Sequence, residues 1–328
     1  MLTAPVLKVL AAWLSAIVLL GAAFIGTVAT LNARLYSPEH QVGLYLEALR
    51  EGDGGEALGL SGAVVPEDTD GTLLDGEALR RSTAALTDVR IGEPEDTGAE
   101  TVDVPVSFML NGAEGATEFP LRRTGRSWGV LDEWRFEPIV LPAVGLSAPM
   151  STEAEVNGTD VGLPGGRTSL AAFYPGSVTA RYESRYLTAP DQTAAVVGSE
   201  PSAELALTME PTPELAQAVD EQLSAFLDGC ADQAVFLPAN CPFAYPTNDR
   251  LAGTIDWSIT EYPTAAITSE GDGTWQLAPL QGSALIETQL LDFFSGAVRE
   301  VSEPVPFEFD AGLTVTEDAV TVTPVVSY

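Results

Sequence analysis

The chain has 328 residues, with 15 Lys and Arg against 47 Asp and Glu, one His and two Cys, for a formal charge of −32. Such a surface repels polyanions and carries no basic stripe with interleaved aromatics, so nucleic acid is excluded as a partner. Lys8 is the sole lysine and His40 the sole histidine, which removes Ser–Lys dyads and the GxxxxGK[ST] phosphate loop from everything beyond residue 8.

Val9 to Ala33 runs for 25 residues without a charge, enough to cross an apolar bilayer core of roughly 30 Å as a helix. A secretory leader has a shorter apolar centre, about 7–15 residues, followed by a small-residue cleavage pattern. Here Leu31-Asn32-Ala33 puts a bulky Leu where a small residue is wanted. The segment is therefore expected to be an uncleaved single-pass anchor, with residues 1–8 as a short cytoplasmic tail and the bulk outside the cell membrane. Flanking charge says little about orientation, because Lys8 and the amino terminus face only Arg34. The cysteines say more. Cys230 and Cys241, in GCADQAVFLPANCPF, suit a disulfide in an oxidising compartment, the alternative being two free buried thiols. Beyond residue 33 there are 14 Arg, no Lys and 47 acids, 14 − 47 = −33, read as a solubilising surface.

Ser37-Pro38-Glu39 has the composition of a helix start, a Ser cap, Pro in the first turn and an acid near the positive end of the dipole. Val42, Tyr45, Leu46 and Leu49 follow at i, i+3, i+4 and i+7, and Gly52 ends the run. Short helices are expected over 55–60 and 75–86, then strands over 88–91, 101–110, 114–123 and 127–136, with Asn111-Gly112 as a tight hairpin turn.

The phrase SPEHQVGLYLEALREGDGGEALGL, a further helix, and a meander ending RSWGVLDEWRFEP resemble the nuclear transport factor 2-like domains of bacterial envelope proteins. The resemblance covers residues 36–138 and implies a curved sheet wrapped over the opening helices as an α+β cone. Proline-bearing Glu137 to Pro149 reads as a linker or edge segment. Residues 150–208 alternate in the manner of strands around an Asn157-Gly158 turn and are expected to form a small all-β domain. Its VNG turn and PGSVTARYE resemble the β modules of membrane proteins associated with teicoplanin resistance, which combine one membrane helix with such modules.

Pro213 to Asp228 is an amphipathic helix capped by Thr212, with Leu215, Val219, Leu223, Phe226 and Leu227 on its apolar side. Strands are expected over 253–260, 263–269, 274–279, 283–291, 305–309 and 313–326, making 209–328 an α+β domain with an antiparallel sheet. Cys230 to Phe243, with Trp257, resembles the carboxy-terminal region of actinobacterial envelope proteins, a likeness that implies no activity. The fold class is thus α+β: a transmembrane helix followed by three extracytoplasmic modules.

A Ser-His-Asp arrangement has only His40 to use, in the first helical turn and without a GxSxG elbow, so His40 reads as solvated or capping. One His and two bridged Cys supply no usual zinc set. The acidic loops Glu67–Gly71 and Glu270–Gly273 lack the twelve-residue calcium pattern and read as surface turns. Asp96-Thr97-Gly98-Ala99 spells an aspartic-protease box, but polar, proline-broken residues precede it and no second copy exists, so a β-turn is expected. Trp128, Trp134, Trp257 and Trp275 are candidates for a ligand groove, though Trp in a strand pattern is more often core. Asn157-Gly158-Thr159 fits a glycosylation sequon and is read as an unmodified turn. The expectation is a non-catalytic envelope protein, without cofactor or metal, that binds or scaffolds a surface protein. The alternatives are a cone that holds a small ligand or cell-wall glycan fragment, and a hydrolase built on two carboxylates.

Overall fold

The computed structural model describes residues 4–200, 204–269, 274–292, 294–316 and 318–326. Helix α1 (Ala4–Arg34) is long and apolar enough to cross a membrane, and its length and composition also fit a secretory leader. Its apolar residues from Trp13 to Ile25 are exposed on every face, so no part of the folded body covers them.

The next two helices form as their caps dictate. In α2 (Pro38–Glu51) the Ser37 hydroxyl accepts the His40 N–H at 3.3 Å, and Gly52, at φ +74°, takes the left-handed conformation that closes the helix. In α3 (Gly54–Ser61) the Asp53 carboxylate accepts the Glu56 N–H at 2.8 Å. A 3₁₀ turn at Thr72–Leu74 leads to α4 (Gly76–Thr83), shorter than expected. Strands β1 (Leu86–Ile91), β2 (Glu95–Asp96), β3 (Thr101–Leu110), β4 (Ala113–Ser127) and β5 (Leu131–Phe136) then make one antiparallel sheet, in the order β1-β3-β4-β5 with β2 beside β3. Asn111 and Gly112 turn the β3–β4 hairpin at φ +52° and +79°, the signs that a type I′ turn requires. Val102, Val104, Val106, Phe108 and Leu110 alternate inward along β3, toward α2.

The segment expected as a linker or edge is core, its strand lying between two others. Ile139, Leu141, Val144 and Leu146 are buried, and β6 (Ala143–Ser147) pairs over its whole length with β9 (Arg167–Ala171). Its prolines stand at 138, 142 and 149, outside β6, so they bracket the strand without removing any of its ladder donors. Between them lie β7 (Glu153–Val156) and β8 (Thr159–Gly162), and after them β10 (Gly176–Glu183), β11 (Leu187–Val196), β12 (Leu205–Ala206) and β13 (Glu210–Pro211). These pair as β13-β11-β10-β7-β8 and as β12-β6-β9, with β12 parallel to β6. Bridges join Val64 to Val140 and Asp70 to Leu170, so this β-rich portion packs directly on the helical one.

The last portion is an α+β body with a curled half-barrel sheet. Helix α5 (Pro213–Ala231), capped by the Thr212 hydroxyl on Leu215 N–H at 3.3 Å, buries Leu215, Val219, Leu223 and Leu227. The strands are β14 (Arg250–Glu261), β15 (Ile267–Ser269), β16 (Trp275–Leu277), β17 (Leu280–Leu291), β18 (Val298–Val315) and β19 (Val320–Val325). Where two strands were expected around Asp310-Ala311-Gly312, β18 is continuous for 18 residues. It pairs with β17 up to Phe309 and with β19 from Asp310 onward. The change of partner at that point supplies the curl, and new ladder bonds hold the turn-prone residues extended.

Candidate interaction surface

The space between α2 and the first sheet is filled. Tyr45 sits at its centre, with Phe119, Phe136 and Phe173 at ring-centroid distances of 5.4, 5.5 and 6.2 Å, and Phe119 stacks on Tyr174 at 5.5 Å. The Tyr45 hydroxyl donates to the Tyr174 carbonyl oxygen at 2.8 Å. Burial pushes the Tyr45 phenol well above its ordinary pKa and raises that of Tyr174. Five aromatic rings thus take the volume that a ligand would need inside a cone.

The sequence-flagged positions scatter. His40 spends its backbone N–H on the Ser37 cap. Asp96 ends a two-residue strand, and Thr97 and Gly98 both donate backbone N–H groups to the Thr101 carbonyl, making the box a surface turn. Asp96 and Trp134 do line one shallow cleft of about 300 Å³, in which the Arg123 guanidinium lies over the Trp134 ring at 5.8 Å. Trp257 and Trp275 are buried, Trp134 is half-buried, and Trp128 is 93 % exposed. The Asp70 carboxylate accepts the Thr72 N–H at 2.7 Å, whereas the Glu270–Gly273 loop lies outside the described residues. Among the described residues no group of three His, Cys, Asp or Glu is placed to hold a metal ion. Asn157 is buried and fully engaged: its side chain donates to the Ala78 and Ser177 carbonyls and accepts the Thr179 N–H, which leaves no room for a glycan.

An open cleft of about 620 Å³ lies over the exposed side of β1, β3 and β4 and is lined by Asp88, Arg90, Ser107 and Glu114. A bulge between Thr87 and Arg90 shapes it. The acids whose pKa is displaced lie elsewhere. Glu77 is held below its ordinary value by hydrogen bonds from Arg80 and Arg81, and Asp292 by the Ser295 backbone and hydroxyl and the Phe294 N–H. Both shifts run opposite to what a general acid needs.

The Cys230–Cys241 disulfide is formed, with Cα atoms 5.7 Å apart. It fixes the chain leaving α5, so that Phe243 packs on Trp257 at 4.9 Å and on Phe307 at 5.5 Å, while Trp257 Nε1 donates to the Val235 carbonyl at 2.8 Å. The Gln222 side chain joins α5 to β19, donating to the Val320 carbonyl at 3.0 Å and accepting the Val322 N–H at 3.1 Å. On this frame the β17–β18 hairpin ends in a turn that holds Phe294 fully exposed. One Asp292 carboxylate oxygen accepts the Phe294 N–H, the Ser295 N–H and the Ser295 hydroxyl at 2.9, 2.6 and 2.8 Å, and the Asp292 backbone closes the loop against Ala297 and Gly296. Val298, at the start of β18, is also exposed. Sequence reasoning passed over Phe294. Its signal is an aromatic placed directly before Ser295-Gly296 between two strand patterns, an apolar side chain in a turn that has no core to receive it.

No family model, curated protein or solved structure matches this chain.

Proposed function

We propose that this chain is an extracytoplasmic envelope protein, held in the cell membrane by α1, that binds or scaffolds a cell-surface protein without catalysing a reaction. The observation that carries the reading is Phe294: a fully exposed aromatic side chain on a turn locked by three hydrogen bonds to Asp292. Exposed aromatics on pre-ordered backbone are the anchors of protein interfaces, because little freedom is lost when they are buried. The filled interior around Tyr45 favours this reading over a ligand-holding cone. Helices α2–α4 under the β1–β5 sheet support a nuclear transport factor 2-like module used as a structural platform.

The test is capture from envelope extract with the full chain in detergent micelles, beside the Phe294→Ser variant. A defined protein retained by the parent and reduced at least tenfold by the variant is expected, a tenfold loss being about 1.4 kcal/mol. Retention of wall glycan in place of protein, equal for both chains, would overturn the reading.

A further inference from the structure

Helix α1 meets the folded body at the β4–β5 hairpin. The Asn32 side-chain amide donates to the Val130 carbonyl at 2.8 Å, and its oxygen accepts the Asp132 N–H at 3.1 Å. One side chain therefore closes two polar groups on the edge of the β4–β5 hairpin. Val28, Leu31 and Asn32, at i, i+3 and i+4, are half-buried, whereas the other residues from 13 to 34 are exposed, so the contact occupies one face of this stretch of α1.

The direction of the hairpin follows from its two ends. Phe136, at the far end of β5, packs on Tyr45 in the core. Moving back along β5 leads from that core to Asp132 and Asn32, and the turn at Trp128-Gly129 stands within two residues of Val130, the partner of Asn32. Asn32 lies 32 − 13 = 19 residues from Trp13, about 28 Å along a helix rising 1.5 Å per residue, close to the apolar thickness of a bilayer. With Trp13 at one boundary of the apolar layer, Asn32 falls at the other and Trp128 beside it.

The tip has the chemistry of that boundary. Trp128 is 93 % exposed and stands at φ +55°, followed by Gly129 at φ +73°. A bulky residue is rarely left in the left-handed region, and such strain collects where a side chain has a use. Tryptophan is enriched where bilayer meets water, its ring apolar and its N–H wet. Residues 120–136 carry four Arg and two acids, in a body that is −33 overall; Arg122 pairs with Glu137 and Arg123 and Arg126 with Asp132, so the hairpin lacks the excess of acid that would repel an anionic headgroup layer.

We infer that the β4–β5 tip is a second membrane contact, in which Trp128 seats at the headgroup boundary of the leaflet from which the body emerges, registered on α1 by Asn32. The inference rests on the reading of α1 as a retained anchor. It is tested with the full chain in phosphatidylcholine–phosphatidylglycerol vesicles whose acyl chains are brominated near the headgroup, which quenches nearby tryptophan. In the Trp13→Phe chain the expected result is a loss of emission that disappears when Trp128→Phe is added. No quenching in Trp13→Phe, alongside quenching of Trp13 in the Trp128→Phe chain, keeps the anchor and overturns the tip contact. Quenching in neither chain removes the anchor and the contact with it.

Discussion

The aromatic cluster around Tyr45 and the one around Phe243 do the same work by different means. The first gathers rings from α2, β4, β5 and the Phe173-Tyr174 segment, across a sequence separation of 129 between Tyr45 and its hydrogen-bond partner. Nothing covalent closes that loop, and packing, helped by the Tyr45–Tyr174 and Asn157–Ala78 hydrogen bonds and two backbone bridges, keeps the β-rich portion on the helices. The second gathers Phe243, Trp257, Phe307, Phe309 and Phe226 around a chain already closed by the disulfide. The helix α5 meets its sheet mainly at β14 and β19, a narrower seat than α2 has. The difference teaches where each half is vulnerable: the first to loss of volume at its centre, the second to loss of its staple.

The largest effect is expected at Tyr45. Tyr45→Ala empties the centre of a fully buried cluster and should cost roughly 3–5 kcal/mol, read as a lower midpoint in chemical denaturation of the full chain. A cost under about 1 kcal/mol would mean that the two portions do not depend on this cluster. Replacing Cys230 and Cys241 together with Ser should cost about 2–3 kcal/mol, the loop-closure value for residues eleven apart. That loss should fall on the transition of the carboxy-terminal half, followed through Trp257 fluorescence, and a loss shared equally by both halves would break the comparison.

A smaller effect separates the clusters by pH. The Tyr45 pKa is raised in the folded state, first by burial and then by Tyr174. The unfolded phenol ionises near its ordinary value of 10.0 while the folded one stays neutral. Stability from this group is therefore complete below about pH 10 and is lost as pH rises further. Tyr45→Phe should give up about 1 kcal/mol at neutral pH, from the unmet Tyr174 carbonyl, yet flatten the alkaline decline. An unchanged decline would place its origin in other tyrosines.

The helices, most strands and the disulfide were legible because each rests on local signals. Ser37, Thr212 and Gly52 cap or end helices by their own chemistry, Asn111-Gly112 turns a hairpin, and the alternation along β3 names its inner face. The linker or edge segment expected at 137–149 failed because proline there does not punctuate the chain but flanks a strand whose partner β9 comes twenty residues later. The break expected at 310–312 failed because a strand that changes partners keeps its ladder where local composition favours a turn. The exposed tips were the least legible. Whether a Trp or Phe in a β-rich sequence is core or surface depends on which face the assembled sheet buries, and Trp128 and Phe294 sit in turns, where alternation gives no answer.

Trp128→Asn gives the smallest expected effect and tests the first half from its surface. The turn puts both Trp128 and Gly129 at positive φ, and Asn is the residue that tolerates the first of these positions best. A bulky side chain there costs about 1 kcal/mol of backbone strain, and Trp128 buries almost nothing against the protein to offset it. Asn should therefore raise the stability of the full chain in detergent by about 0.5–1 kcal/mol while abolishing, in the Trp13→Phe chain, the quenching by brominated lipid. The opposite signs are the point. A position at which stability rises as a membrane contact disappears is one where the fold carries strain for the sake of what lies outside it. A fall in stability would instead mean that the indole packs on the body, and the tip would then belong to the core that Tyr45 organises.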